Sequence, residues 1–359
     1  MKKTLFFILP LLLLPSCRKE DVTVPSNQQQ TAGAPTSSYP TLYVLNEGNW
    51  GANKASLDIL DLQSGTYTRN VYAERNPQVV KELGDCGNDI AVYGQRLYAV
   101  INQSHKVEVM DLSAHRINQI DISTPRYIAF QNQYAYVTSY VSTSDQLNVG
   151  AVYQVDTATL QVTAEAVVGP QPDELVIHDN LLYCTCSGGY NYPDFDSTVS
   201  VVDITTMKEI RKLTVGINPI RIKEDSHGRL WVLCSGNYDD VPSQLVVLEG
   251  ECVVQRFTVN VANMALCGDT LYYTGTYPNT YGRIDLQTLT EIPGSFITDG
   301  TDADIQTPYG LLVNPSSHTI YLTDVMNYVS SGKIYGYNPQ GKKIFEAQTG
   351  DVPGHLALQ

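Results

Sequence analysis

The chain has 359 residues, 43% hydrophobic and 17% charged, with 37 acidic residues against 23 basic ones and a net charge of −14. That length and apolar share suffice for one large packed domain. The acidic balance excludes a protein built to grip phosphate backbones, so no nucleic-acid partner is expected.

The chain opens on Lys2 and Lys3, followed by an apolar run from Leu5 to Leu14. The run is too short to span a bilayer and has the length of a secretory signal core. It ends in Leu14-Pro15-Ser16-Cys17, which resembles a lipobox and implies cleavage after Ser16 and lipidation of Cys17. The charged stretch Arg18-Lys19-Glu20-Asp21 looks like a surface-export signal of Bacteroidetes-type lipoproteins. A lipid-anchored protein on the outer face of the outer membrane is therefore expected. Loss of Lys2 and Lys3 leaves 21 basic and 37 acidic residues, a net −16. Residues 22–39 are mostly small and polar, a composition that reads as a flexible tether. The expected organisation is a signal peptide over 1–16, a lipidated Cys17 and tether over 17–39, and one domain over 40–359.

Six further cysteines (Cys86, Cys184, Cys186, Cys234, Cys252 and Cys267) match no zinc-binding spacing. They read first as buried small thiols, with Cys252–Cys267 as a conceivable disulfide.

An aliphatic–aromatic couplet recurs from residue 42 onward: Leu42-Tyr43, Leu97-Tyr98, Ala135-Tyr136, Leu182-Tyr183, Leu230-Trp231, Leu271-Tyr272 and Ile320-Tyr321. The aromatics are separated by 55, 38, 47, 48, 41 and 49 residues. Each couplet is followed by a short strand closing on an acidic or turn residue, such as Asp61, Asp111, Asp156 or Asp203, and then by another apolar run. Alternation of period two is plain in Val199–Val202 and in Tyr67–Val71, and no useful helical period appears. Repeats in the forties with four short strands predict an all-β, seven-bladed β-propeller, with strands A to D from axis to rim. The first couplet lacks a preceding strand A, and Pro353–Gln359 is a surplus one. The C-terminal strand should therefore close the ring inside blade one.

In this topology the B–C loops and D–A connections share a face. The A–B and C–D turns are terse, whereas the B–C loops are long and rich in Tyr, Asn, Trp and Gly, as aromatic-rich binding surfaces are. They contribute Asn49, Trp50, Asn53, Tyr140, Tyr190, Tyr192, Phe195, Tyr238, Tyr277 and Tyr328 as candidate ligand contacts, although part of this set could simply pack the loops together. The starts of the A strands add Asp89, Arg126, Tyr127, Glu174, Arg221, Asn263, Tyr309 and His355. One equivalent position reads Asp89, Tyr127, Glu174, Arg221, Asn263, Gly310, His355. The next reads Ile90, Ile128, Leu175, Ile222, Met264, Leu311, Leu356. A polar ring over an apolar layer should line the channel mouth, either facing a ligand or hydrogen-bonded within itself.

The segment from Tyr43 to Asp58, with its Asn46-Glu47-Gly48-Asn49 run, resembles the opening of the YncE-like propeller lipoproteins of gut Bacteroidetes. The likeness covers essentially the whole mature chain. In the BtuG-type branch it implies capture of cobalamin (vitamin B12) or a related corrinoid, and transfer to a TonB-dependent, BtuB-like outer-membrane transporter. Cobalamin would then be cargo, with no cofactor of the protein's own. No catalytic constellation is legible: there is no serine elbow, helical His-Glu pair or phosphate loop. A calcium-dependent, lactonase-like site would need Asp89, Glu174 and Asn263 to converge on the axis, or Asp299, Asp302 and Asp304 to form a loop site. Asp302-Ala303-Asp304 lacks the calcium-loop pattern, and no metal is expected. A protein- or glycan-binding scaffold would use the same face.

Overall fold

The computed structural model describes residues 28–31, 37–79, 82–141 and 149–359. The expected signal peptide, Cys17 and the blade-three loop beyond Val141 lie outside them. Seven antiparallel sheets form the ring, six of four strands and one of five. The fold is an all-β, seven-bladed propeller. The innermost strands are Gly87–Tyr93, Pro125–Gln131, Pro172–His178, Pro219–Glu224, Asn263–Cys267, Pro308–Val313 and Pro353–Leu358. The last pairs with Thr41–Asn46, Ala357 opposite Tyr43, so blade one is closed by the end of the chain.

The couplet has a stacking cause. Neighbouring strand residues point to opposite faces of a sheet, and a blade buried on both faces needs an apolar group on each. In every blade the aliphatic member packs toward the preceding blade and the aromatic toward the following one. Leu97 belongs to the core between blades one and two, and Tyr98 to that between blades two and three. Leu230 and Trp231 divide in the same way around blade five. Seven such clusters, one per interface, make up the core.

The aspartate closing several of the C strands also has a local task. Asp61 Oδ1 accepts the amides of Gln63 and Ser64, and Asp203 and Asp285 do the same two and three residues on. This is the side-chain turn that Asp and Asn favour.

Two expectations change. The alternation over Tyr67–Val71 does not continue as a strand. Strand D of blade one is Thr66–Thr68, and Val71–Arg75 is a helical turn after Asn70 in the left-handed region, φ 52°. Buried Asp58 enforces the break by accepting the Asn70 amide and the Tyr67 hydroxyl. Within the stretch read as tether, Gln28–Gln30 pairs with Thr66–Thr68 as a fifth, rim strand. The six cysteines described are free. Cys184, Cys186, Cys234 and Cys267 are buried, whereas Cys252 is exposed and unpaired with Cys267.

Candidate functional site

Antiparallel order places the start of every strand A and every B–C loop at one end of the ring. There the inner strands are irregular. Six of the seven pairings of strand A with strand B shift register at this end, for example between Gly87 and Asp89 and between Pro172 and Leu175. Five of the strands start with proline: Pro125, Pro172, Pro219, Pro308 and Pro353. Proline offers no amide to the ladder, and a bulge leaves its neighbours' backbone groups unpaired by the partner strand.

Part of the polar ring answers that deficit. Asp89 Oδ2 accepts the Ile128 amide of blade three at 3.0 Å, and Glu174 Oε2 accepts the Ile222 amide of blade five at 2.9 Å. Asn263 Nδ2 donates to the Tyr309 carbonyl of blade seven at 2.6 Å. Thr138 and Thr323 hydroxyls donate to the Asp173 and Pro353 carbonyls of the next blades. Three of the seven ring residues therefore stitch blades together through their side chains. Among the described residues no three His, Cys, Asp or Glu side chains form a metal-holding group. Asp299 caps Thr301 and the Lys343 amide, and Asp304 pairs with Lys343 Nζ at 3.1 Å.

The mouth is dense in charge. Arg126 pairs with buried Asp173 at 2.9 Å, contacts the Asn88 side chain and lies 4.7 Å from the Tyr140 ring centre. Tyr140 donates its hydroxyl to Asp173 at 2.9 Å. Glu174 holds Lys223 at 2.9 Å, and Glu47 holds His355 at 3.4 Å. Burial pushes the Asp89 carboxyl up to about 6, although His355 and the Ile128 and Ile90 amides pull the other way. Burial raises Glu174 as well, but Lys223, Arg221 and the Ile222 amide outweigh it and leave the group below its usual value. Burial, then Glu47, raises Tyr309 well above the usual phenol.

Outside this mouth the loops hold their aromatics in the open. Trp50, Tyr190, Tyr192, Tyr238, Tyr277 and Tyr328 are all exposed, from 42% for Tyr328 to 85% for Tyr277. Each sits on a B–C loop, and they are the only exposed large aromatics among the described residues. Phe195 bridges Tyr192 and Tyr238 edge-on, 5.8 Å from each. Tyr140 meets Tyr190 at 5.3 Å, and Tyr309 meets Tyr328 at 5.9 Å. Asn49 ties to the Tyr328 carbonyl, and Asn53 is exposed in the left-handed region. A cavity of about 400 Å³ runs between inner strands, lined by Glu174 and Lys223 of the mouth and by Leu175, Ile222, Leu266 and Leu311.

The comparisons with known proteins show the fold alone. No family profile matches the chain, and no curated protein is significantly similar in sequence. Many solved structures share its architecture. A quinonprotein alcohol dehydrogenase-like protein from Bacteroides thetaiotaomicron aligns at TM-score 0.65 and 15% identity, over 89% of this chain and 78% of that one. A candidate 6-phosphogluconolactonase from Bacteroides uniformis aligns at TM-score 0.60 and 12% identity, over 89% of this chain and all of that one. Hydrazine synthase from Kuenenia stuttgartiensis aligns at TM-score 0.55 and 16% identity, over 69% of this chain and 76% of that one.

Sequence reasoning overlooked Asn88, Asp173, Glu47 and Lys223. Asn88 and Asp173 occupy the register of Arg126 and Tyr309, one residue before the polar ring, so the repeat alignment that found those two carried the signal. Glu47 stood in the quoted loop, but only the ring closure brings it to His355.

Proposed function

We propose that this protein is a non-catalytic capture protein, lipid-anchored through Cys17 on the outer face of the outer membrane. It holds cobalamin or a related corrinoid on the loop face and delivers it to a TonB-dependent, BtuB-like transporter. The observation that carries the reading is the gathering of every described exposed large aromatic onto the B–C loops of one face. Tyrosine and tryptophan offer broad apolar contact with a polar tip and few torsions to immobilise. A wide corrin ring edged with amides matches that surface. The likeness of the Asn46–Asn49 segment to YncE-like lipoproteins supports the same class. The carboxylates at the mouth are engaged with neighbouring strands or cations, which suits binding better than proton transfer. Isothermal titration of the mature chain with cyanocobalamin tests the reading. Saturable heat at one site per chain is expected; no detectable binding overturns it.

A further inference from the structure

Five members of the polar ring divide into two kinds. Asp89, Glu174 and Asn263, from blades two, four and six, are spent on the backbone of the next blade. Tyr127 and Arg221, from the intervening blades three and five, carry no such duty. Arg221 Nε is buried without a hydrogen-bond partner, and no carboxylate pairs with its guanidinium among the described residues. Tyr127 and Arg221 meet at the axis, the Arg221 guanidinium carbon 5.7 Å from the Tyr127 ring centre.

The permanent cations nearby have their anions. Arg126 has Asp173 and Lys223 has Glu174. Tyr127, Glu174, Tyr309 and Asp89 hold the Arg221 charge through space but give its fork no direct carboxylate partner. Arginine stays protonated in proteins, and a buried donor left without a hydrogen-bond partner is costly. A guanidinium fork presented this way matches the paired oxygens of a phosphate or carboxylate.

We infer that the channel mouth is an anion-receiving subsite, in which the Arg221 guanidinium and the Tyr127 hydroxyl take a phosphate or carboxylate group of the ligand. The inference rests on the loop face being the binding face, and it names the chemistry received at the centre of that face. A phosphodiester in a nucleotide-bearing ligand and a free small carboxylate present the same oxygens, so both are probed.

The test is titration of the mature chain at constant ionic strength with inorganic phosphate and, separately, with acetate. Binding is read by amide chemical-shift changes and by melting temperature, since a ligand held only by the folded state raises the melting point. Saturable binding of at least one anion is expected, weakened at least tenfold in Arg221→Gln and by a smaller factor in Tyr127→Phe. Arg211→Gln, which removes a rim cation paired with Glu251, should bind as the parent does. Arg221→Gln should stay folded, because no carboxylate is paired directly with the guanidinium it removes. If it does not fold, Arg221→Lys keeps the charge, loses the fork and should bind several-fold more weakly. Absence of saturable anion binding, or equal binding by the Arg221 variant, overturns the subsite. Cyanocobalamin binding without any anion response would leave the proposed function standing and remove this inference. Anion binding without cobalamin binding would do the reverse.

Discussion

The Asn49 side-chain amide donates to the Tyr328 carbonyl at 2.7 Å, fastening the B–C loop of blade one to that of blade seven across the point where the ring closes. Trp50 follows directly, 67% exposed and on a loop held in place by its neighbour rather than by its own burial. Its side chain supports little of the fold. Trp50→Ala should leave the melting temperature within about a degree and weaken corrinoid binding roughly tenfold, the scale of one well-placed aromatic contact. Paired melting and titration measurements check both; unchanged affinity removes Trp50 from the site.

Asp173 is the anion on which Arg126 and the Tyr140 hydroxyl both depend. Asp173→Ala strands a largely buried guanidinium and should cost about 3 kcal/mol, as removal of one partner from a buried pair does. Chemical denaturation would show it as a lower midpoint with an unchanged slope. A loss below about 1 kcal/mol would mean that water replaces the carboxylate.

Asp89 makes stability depend on pH in a defined window. Burial raises its carboxyl to about 6 from an ordinary 3.8. A raised acid favours the folded state below the unfolded value, and that contribution is lost as pH climbs to the folded one. The stability of the parent relative to Asp89→Asn should therefore fall between about pH 4 and 6 and level off above 7. The slope approaches roughly 1.4 kcal/mol per pH unit between the two pKa values. Whatever fixed offset the substitution brings, a flat difference across this window contradicts the shifted group.

Ring closure can be separated from rim reinforcement. Deleting Pro353–Leu358 removes the axial strand of blade one and exposes the unpaired edge of Thr41–Asn46. The deletion should abolish cooperative melting in calorimetry. Deleting Gln28–Gln30 removes three rim residues paired to Thr66–Thr68 and should lower the melting temperature by only a few degrees. Equal effects would mean that the rim strand is as necessary as the closure.

Much of the fold was legible from residue 42 onward because a blade buried on both faces must repeat its apolar pattern. The Leu-Tyr couplets marked the strand B positions, the Asp residues marked the C–D turns, and the unmatched strand at Pro353 announced the closure. The helical turn at Val71 was hidden because Tyr67–Val71 alternates as a strand does, and the carboxylate that breaks it, Asp58, lies a strand away. The exposed aromatics were legible as loop composition. The division of labour in the polar ring was not. Asp89 and Arg221 hold the same place in the repeat, yet one binds a neighbouring backbone and the other has no carboxylate paired directly with it among the described residues.

The amino-acid sequence by itself determined the number of blades, their order, the way the ring shuts and the end at which the long loops gather. Those properties follow from local periodicity and from the alternation of antiparallel strands. Only the tertiary structure decided which polar groups at the mouth are consumed in holding blades together and which stay available. That outcome depends on where the bulged inner strands leave their amides and carbonyls, and on which side chain of the adjacent blade can reach them.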